Sequence, residues 1–118
     1  MDSDLEYVPQ AIAAYSEALQ SLVDRLEAQL LWNRTVAEEF RRGGALPDIL
    51  AAHDSATSAL KMTQQLSEFE RARFHMRASL ARALRSLGLS NPEIADAFGV
   101  SRQLVHRILA GDREMSNS

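Results

Sequence analysis

The sequence predicts an all-α fold, in which one long N-terminal helix of the coiled-coil or bundle type is followed by shorter helices. Apolar residues recur at spacings of three and four along most of the 118 residues. Proline and glycine divide the chain into segments that contain few of the residue types favoured in strands. A chain of this length with 46% hydrophobic residues can form one domain with a modest core.

The segment from Val8 to about Arg42 carries a heptad pattern, which is interrupted once by polar residues and then resumes in phase. The predicted seam consists of Ile12, Tyr15, Leu19, Leu22, Leu26, Asn33, Val36 and Phe40. A helix of this length would extend roughly 50 Å. The short helices expected after it could not cover the whole seam, so residues 1–46 are interpreted as a dimerisation helix. The alternative is that this helix packs on the later helices of its own chain. In a dimer, a buried Asn33 would set the register of the two helices.

The sequence RRGGALPD ends the long helix, because glycines can adopt left-handed cap conformations and Pro47 fits the first turn of a new helix. Residues 47–66 have weak periodicity and are predicted to form one or two short connecting helices. Ser67 and Glu70 fit a capping box, which predicts that another helix begins there. The expected organisation is therefore a separate unit over residues 67–111 and a flexible tail over residues 112–118.

The helix predicted from Glu68 to about Leu87 is amphipathic and basic. Its apolar side carries Phe69, Met76, Leu80, Ala83, Leu84 and Leu87. Its opposite side carries Arg71, Arg82 and Arg85.

The charges are unevenly distributed along the chain. Residues 1–60 contain four Lys and Arg and ten Asp and Glu, whereas residues 61–118 contain nine Lys and Arg and six Asp and Glu. An acidic half joined to a basic half is a hint of a nucleic-acid surface, although solvated helix faces would give the same count.

The stretch LSNPEIADAFGVSRQLVHRILAG, residues 89–111, predicts two short helices joined by a three-residue turn. Ser90 and Glu93 fit a capping box, Gly99 fits the left-handed end of the first helix, and Ser101 is a good N-cap for the second. The predicted scaffold is Ile94, Ala95, Phe98, Gly99, Val100, Val105 and Ile108. This arrangement is a helix-turn-helix.

The segment from Asn91 to Ala110 resembles the bacterial helix-turn-helix DNA-binding domain, as found in promoter-reading domains of sigma factors, in quorum-sensing response regulators and in serine recombinases. The resemblance extends over residues 67–111 when the preceding helix is counted as the supporting helix. It implies that the second helix enters the major groove with its N-terminal residues at the base edges, while the first crosses the backbone. Residues 1–65 lie outside the resemblance.

Position by position, this resemblance implies a set of DNA contacts. The expected base contacts are Arg102, Gln103, His106 and Arg107. Gln103 could bind adenine through two hydrogen bonds, and Arg102 or Arg107 could bind guanine. The expected phosphate contacts are Ser90, Asn91, Ser101, Arg71, Arg82 and Arg85. For Ser90 and Ser101, the alternative role is helix capping alone. A dimer would read half-sites about 34 Å apart or a multiple of that distance.

No residue pattern indicates catalysis. The three histidines, His53, His75 and His106, fit no metal-ligand spacing, and no phosphate loop or nucleophile motif occurs. The chain contains no cysteine, which excludes disulfides and thiolate metal sites. Its N-terminus is acidic where a signal peptide would be basic, and no apolar run reaches the roughly 20 residues of a membrane span. We therefore expect a cytoplasmic protein with no enzymatic activity, no metal, no cofactor and no membrane partner.

The sequence predicts a bacterial or phage transcriptional regulator that binds double-stranded DNA sequence-specifically as a homodimer. The alternative is a helical adaptor that binds a different protein through its N-terminal helix, with the helix-turn-helix as a protein contact or a weak tether to DNA.

Overall fold

A computed structural model describes residues 3–111 of the chain, and over this range the fold is all-α, as predicted. The helices are α1 (Ser3–Glu6), α2 (Val8–Arg41), α3 (Leu46–Ala52), α4 (Ser55–Ser86), α5 (Asn91–Phe98) and α6 (Arg102–Leu109). Within the described range, no helix combines the length and the apolar character needed to cross a bilayer. The predicted tail, residues 112–118, lies outside the described residues.

The predicted long helix and the turn that ends it are both present. α2 has Pro9 in its first turn, where proline's missing N–H costs no hydrogen bond, and it continues for 34 residues. Gly43 then adopts a left-handed conformation with φ of 94°. The Gly44 N–H donates to the Glu39 carbonyl at 3.1 Å. A Cβ at Gly44 would lie 2.9 Å from Ile49 Cδ1 and 3.1 Å from the Glu39 carbonyl oxygen, so a larger residue here would force the Ile49 side chain to move.

The prediction that a helix begins at Ser67 is wrong. α4 begins at Ser55 and runs without interruption for 32 residues to Ser86. A capping serine is useful only where backbone N–H groups lack partners, and here the helical turn before Ser67 already supplies carbonyl acceptors. No glycine or proline occurs between residues 55 and 86 to stop the helix. Of the connecting segment, only α3 is a short separate helix.

α2 and α4 form an antiparallel helical hairpin. At one end, the Ser86 hydroxyl donates to Asp4 Oδ2 at 2.9 Å, beside the start of α2. Further along, the rings of Tyr15 and Phe69 lie 5.5 Å apart. At the other end, Trp32 Nε1 donates to the His53 carbonyl at 3.2 Å. These contacts fix the register of two long helices, and the molecule measures 64 × 25 × 21 Å.

The hairpin divides the predicted heptad seam between two environments. Tyr15, Leu22 and Val36 are buried or half-buried against the rest of the chain. The exposed members are Ile12, Leu19, Leu26, Asn33 and Phe40. The expectation of a buried Asn33 is not met in the single chain, where its Oδ1 accepts a hydrogen bond from Gln29 Nε2 at 2.9 Å. The cause is the length of α4, which gives one side of α2 a partner within its own chain.

We predict that Leu22→Ala destabilises the hairpin by about 2–5 kcal/mol, because Leu22 is only 8% exposed and its removal leaves a cavity. Leu31→Ala is the matched control, since Leu31 on the same helix is 66% exposed, and we expect a change within about 0.5 kcal/mol. Urea unfolding followed by circular dichroism, at one protein concentration, measures both. Equal losses from the two variants would contradict the packing described here.

Candidate nucleic-acid interface

Three side chains form the centre of the C-terminal unit. Ile94 of α5 and Val105 and Ile108 of α6 are between 0% and 1% exposed. They pack against Ala78 and Ala81 of α4, which are 3% and 0% exposed. Because alanine side chains are small, the short helices can approach α4 closely, and van der Waals contact holds α6 in a fixed position.

Six of the seven predicted scaffold residues lie in or around this core, and the seventh, Gly99, is exposed in the turn between α5 and α6. Ile94, Ala95, Val105 and Ile108 are buried, whereas Phe98 and Val100 are half-buried beside them. The sequence analysis missed Phe74, Ala78 and Ala81 on α4, although their spacing of four and three marks one helix face. It also placed Leu87 on the apolar side, and that residue is 61% exposed.

The start of α5 is fixed by the predicted capping box. The Ser90 hydroxyl accepts a hydrogen bond from the Glu93 backbone N–H at 3.3 Å, and Glu93 Oε1 accepts one from the Ser90 N–H at 3.0 Å. The backbone and side-chain hydrogen bonds from Ser90 lower the pKa of Glu93, because they favour its charged form. Glu93 is thereby held at the helix start as a carboxylate.

The turn between α5 and α6 is formed by residues 99–101. Gly99 has φ of 67°, the left-handed conformation that ends α5, and the Val100 N–H donates to the Ala95 carbonyl at 3.0 Å. Ser101 then caps α6, its hydroxyl accepting from the Leu104 N–H at 3.1 Å. The Ser101 hydroxyl still has its own hydrogen, which it can donate to a phosphate oxygen. Capping and phosphate contact are therefore compatible roles for Ser101, whereas the Ser90 hydroxyl also donates to the Glu93 carboxylate.

The four predicted base-contacting residues lie together on one surface. Arg102, Gln103, His106 and Arg107 are all exposed, and with Asn91 of α5 they line a single shallow concave surface. We call this set of five residues the α6 surface. α6 can present these polar groups outward because Val105 and Ile108 occupy its opposite, buried face.

The α6 surface is basic, and its α6 donors have no partners within the described chain. α6 contains two arginines and no acidic residue. Among residues 3–111, no hydrogen bond or ion pair involves the side chains of Arg102, Gln103, His106 or Arg107. Arg85 reaches the edge of the surface, where its Nη2 donates to Asn91 Oδ1 at 2.9 Å. These guanidinium and amide groups can therefore bind an external acceptor without first losing an internal one.

The other predicted phosphate contacts lie away from the α6 surface. Arg71 and Arg82 are exposed on α4, and neither lines that surface. Arg71 precedes Arg85 by fourteen positions, which is roughly 20 Å along a helix. Only an extended ligand could contact both Arg71 and Arg85.

Two further arginines, Arg73 and Arg77, flank α6. They line a small pocket with Glu70, Phe74 and Ile108. Partial burial lowers the pKa of Arg77, and the positive charge of Arg73 lowers it further. Arg73 Nη1 lies 3.3 Å from Glu70 Oε1 in an exposed ion pair, which contributes little to stability.

Within residues 3–111, no three His, Asp or Glu side chains are grouped closely enough to hold a metal ion. The arrangement that the structure does contain is a rigidly supported helix with hydrogen-bond donors on its outer face. Comparison of the chain with protein-family models, with curated proteins and with solved structures finds no match.

We predict that Glu93→Ala lowers the thermal unfolding midpoint at neutral pH. Because the pKa of Glu93 is lowered in the folded state, its stabilising effect is present above the unfolded pKa of about 4.3 and is lost as the pH falls through the folded value. The difference from the unaltered chain should therefore shrink in acid. Glu17→Ala, at another exposed carboxylate, is the control and should show no such trend. A Glu93→Ala difference that stays constant down to pH 3 contradicts the capping role.

Proposed function

We propose that this protein is a sequence-specific regulator of transcription that binds double-stranded DNA, with α6 in the major groove. The observation that carries the proposal is the α6 surface. Four side chains with unused hydrogen-bonding capacity share one exposed face of a helix whose opposite face is fully buried. A protein that binds DNA in this way acts in the compartment that holds the DNA, which for a bacterial protein is the cytoplasm.

The dimensions and charge of this unit suit a groove. An α-helix with its side chains is about 10–12 Å in diameter, which fits the major groove of B-DNA, about 12 Å wide. Its charged and amide groups lie on the side away from α4, so DNA can approach without displacing the hairpin. The resemblance of residues 91–110 to known DNA-binding helix-turn-helices supports the same orientation, with the N-terminus of α6 nearest the bases.

Within this arrangement each side chain has a specific role. Gln103 donates to and accepts from an adenine edge, while Arg102 or Arg107 donates twice to guanine. His106 lies on the same face, one turn after Arg102 and Gln103. These contacts determine sequence preference, because base edges differ in the pattern of donors and acceptors that they present.

Phosphate contacts fix the protein on the duplex. Ser90 and Asn91 at the start of α5, and Ser101 at the start of α6, lie where helix N-termini attract anions. Arg85 supports Asn91 from α4. Arg71 and Arg82 extend the basic row along α4 and add contacts that carry no sequence information.

The regulator is proposed to act as a homodimer, because one eight-residue helix reads only a short site. Two copies related by a two-fold axis read an inverted repeat, and the doubled contact area raises both affinity and specificity.

The experiment that tests this function is selection of genomic fragments at two salt concentrations, with random duplex as competitor and sequencing of what is retained. Enrichment of one inverted repeat, with affinity falling as salt rises, is the expected result. If no fragment is retained at low salt, the proposal is contradicted. The α6 surface would then be assigned to contact with a protein, as in an adaptor.

We predict that Arg102→Ala and Gln103→Ala each weaken binding to the selected site by about 1–3 kcal/mol and change binding to random DNA little. Arg42→Ala, an exposed arginine just after α2 and away from the α6 surface, should leave both affinities unchanged. Fluorescence polarisation with labelled duplexes measures all three. Equal losses on selected and random DNA would reassign Arg102 or Gln103 to phosphate contact.

A further inference from the structure

α2 carries a row of exposed apolar side chains on the side that α4 does not cover. We call it the outer stripe. Its members are Ile12 (44% exposed), Leu19 (42%), Val23 (38%), Leu26 (45%), Leu30 (53%) and Phe40 (56%). From Leu19 to Leu30 the spacing is four, three and four, and Ile12 and Phe40 continue the same row at multiples of seven. This is the spacing of a coiled-coil seam.

The outer stripe is large enough to form the centre of an interface. Its six side chains expose roughly 500 Å² of apolar surface, which is near the upper end of what a monomer carries as one patch. In an antiparallel pair centred on Leu19 to Leu30, the four side chains of that stretch from two copies would bury roughly 600 Å², and a specific interface needs about 1,000 Å². Flanking residues of α2 would add to that area.

We propose that the outer stripe is a homodimer interface, on which the same stripe of a second copy packs in the antiparallel direction. Two hairpins then form a four-helix arrangement with the two α2 helices at its centre. A heptad seam requires a facing helix with the same repeat, and α2 itself provides one. The proposal concerns the protein without DNA and does not depend on DNA binding.

The sequence of the stripe is self-complementary in the antiparallel direction. With the two-fold axis between residues 24 and 25, Val23 lies opposite Leu26 of the second copy, and Leu19 lies opposite Leu30. The next layer pairs Ser16 with Asn33 of the second copy. A hydroxyl and an amide can form a hydrogen bond there, so these two polar residues face each other, and the four central members of the stripe, Leu19, Val23, Leu26 and Leu30, face each other as well.

One consequence rests on the proposed function. The Ser86–Asp4 hydrogen bond places the helix-turn-helix beside the start of α2, about 25 Å along the axis from the proposed two-fold. The two units of an antiparallel dimer would therefore lie roughly 50 Å apart along this axis. This separation is larger than one turn of DNA, which is about 34 Å, so the half-sites should be separated by more than one turn.

The interface is tested by sedimentation of the full chain without DNA at micromolar concentration. We expect a dimer of the 13.1 kDa chain, conversion to monomer by Leu26→Glu or Val23→Glu, and no change from Leu31→Glu. Leu31 is the matched control because it is more exposed than Leu26 but lies outside the stripe. Circular dichroism confirms that each variant is folded. A folded monomer for the unaltered chain, or a dimer that survives both stripe substitutions, overturns the proposal.

The direction is tested by disulfide formation, because the chain has no cysteine of its own. Oxidation of a mixture of Ser16→Cys and Asn33→Cys chains should give the mixed disulfide, and either variant alone should give little. Efficient crosslinking of each single variant with itself would establish a parallel pair and overturn the antiparallel one. A dimer that binds no DNA would contradict only the proposed function, whereas a chain that is monomeric without DNA but still binds an inverted repeat specifically would contradict only this inference.

Discussion

The contact of Ile94, Val105 and Ile108 with Ala78 and Ala81 determines where α6 lies, and the rest of the candidate site depends on it. A helix of eight residues is too short to be stable in water alone, so its conformation requires tertiary packing. The burial of Val105 and Ile108 fixes the rotation of α6 about its own axis. That rotation leaves the polar side chains of α6 on the solvent side. The same contact that stabilises the helix therefore decides which of its residues are accessible.

α4 supplies two of the surfaces on which the fold is built. One face packs on α2 through contacts such as Phe69 with Tyr15, and another receives α5 and α6 through Ala78 and Ala81. The alanines suit the second role because close helix approach requires small side chains. Phe69, which contacts Tyr15, lies further toward the middle of the hairpin. One helix thus sets the position of α2 relative to α5 and α6.

Features that depend on local chemistry were predictable from the sequence. Ser90, Gly99 and Ser101 satisfy the backbone at helix ends by rules that involve only residues a few positions away, and the structure forms each of these caps. The helix start expected at Ser67 was wrong, because a serine and a glutamate three residues apart fit the exposed side of a helix equally well. The division of the heptad seam could not be read from α2 alone. This division depends on the length of α4, and the incorrect helix start at Ser67 made α4 too short in the prediction. The exposure of Asn33 follows from the division of the seam.

The continuity of α4 means that the described chain has no linker between its two halves. In many proteins with a DNA-binding unit, a short flexible segment separates that unit from the rest, and a protease can release it intact. Here a cut upstream of Ala78 would leave the C-terminal core on a shortened helix that has lost its partner α2. A cut downstream would separate α5 and α6 from the alanines on which they pack. α5 and α6 are in this sense an extension of the hairpin, and we expect the two halves to unfold as one cooperative unit.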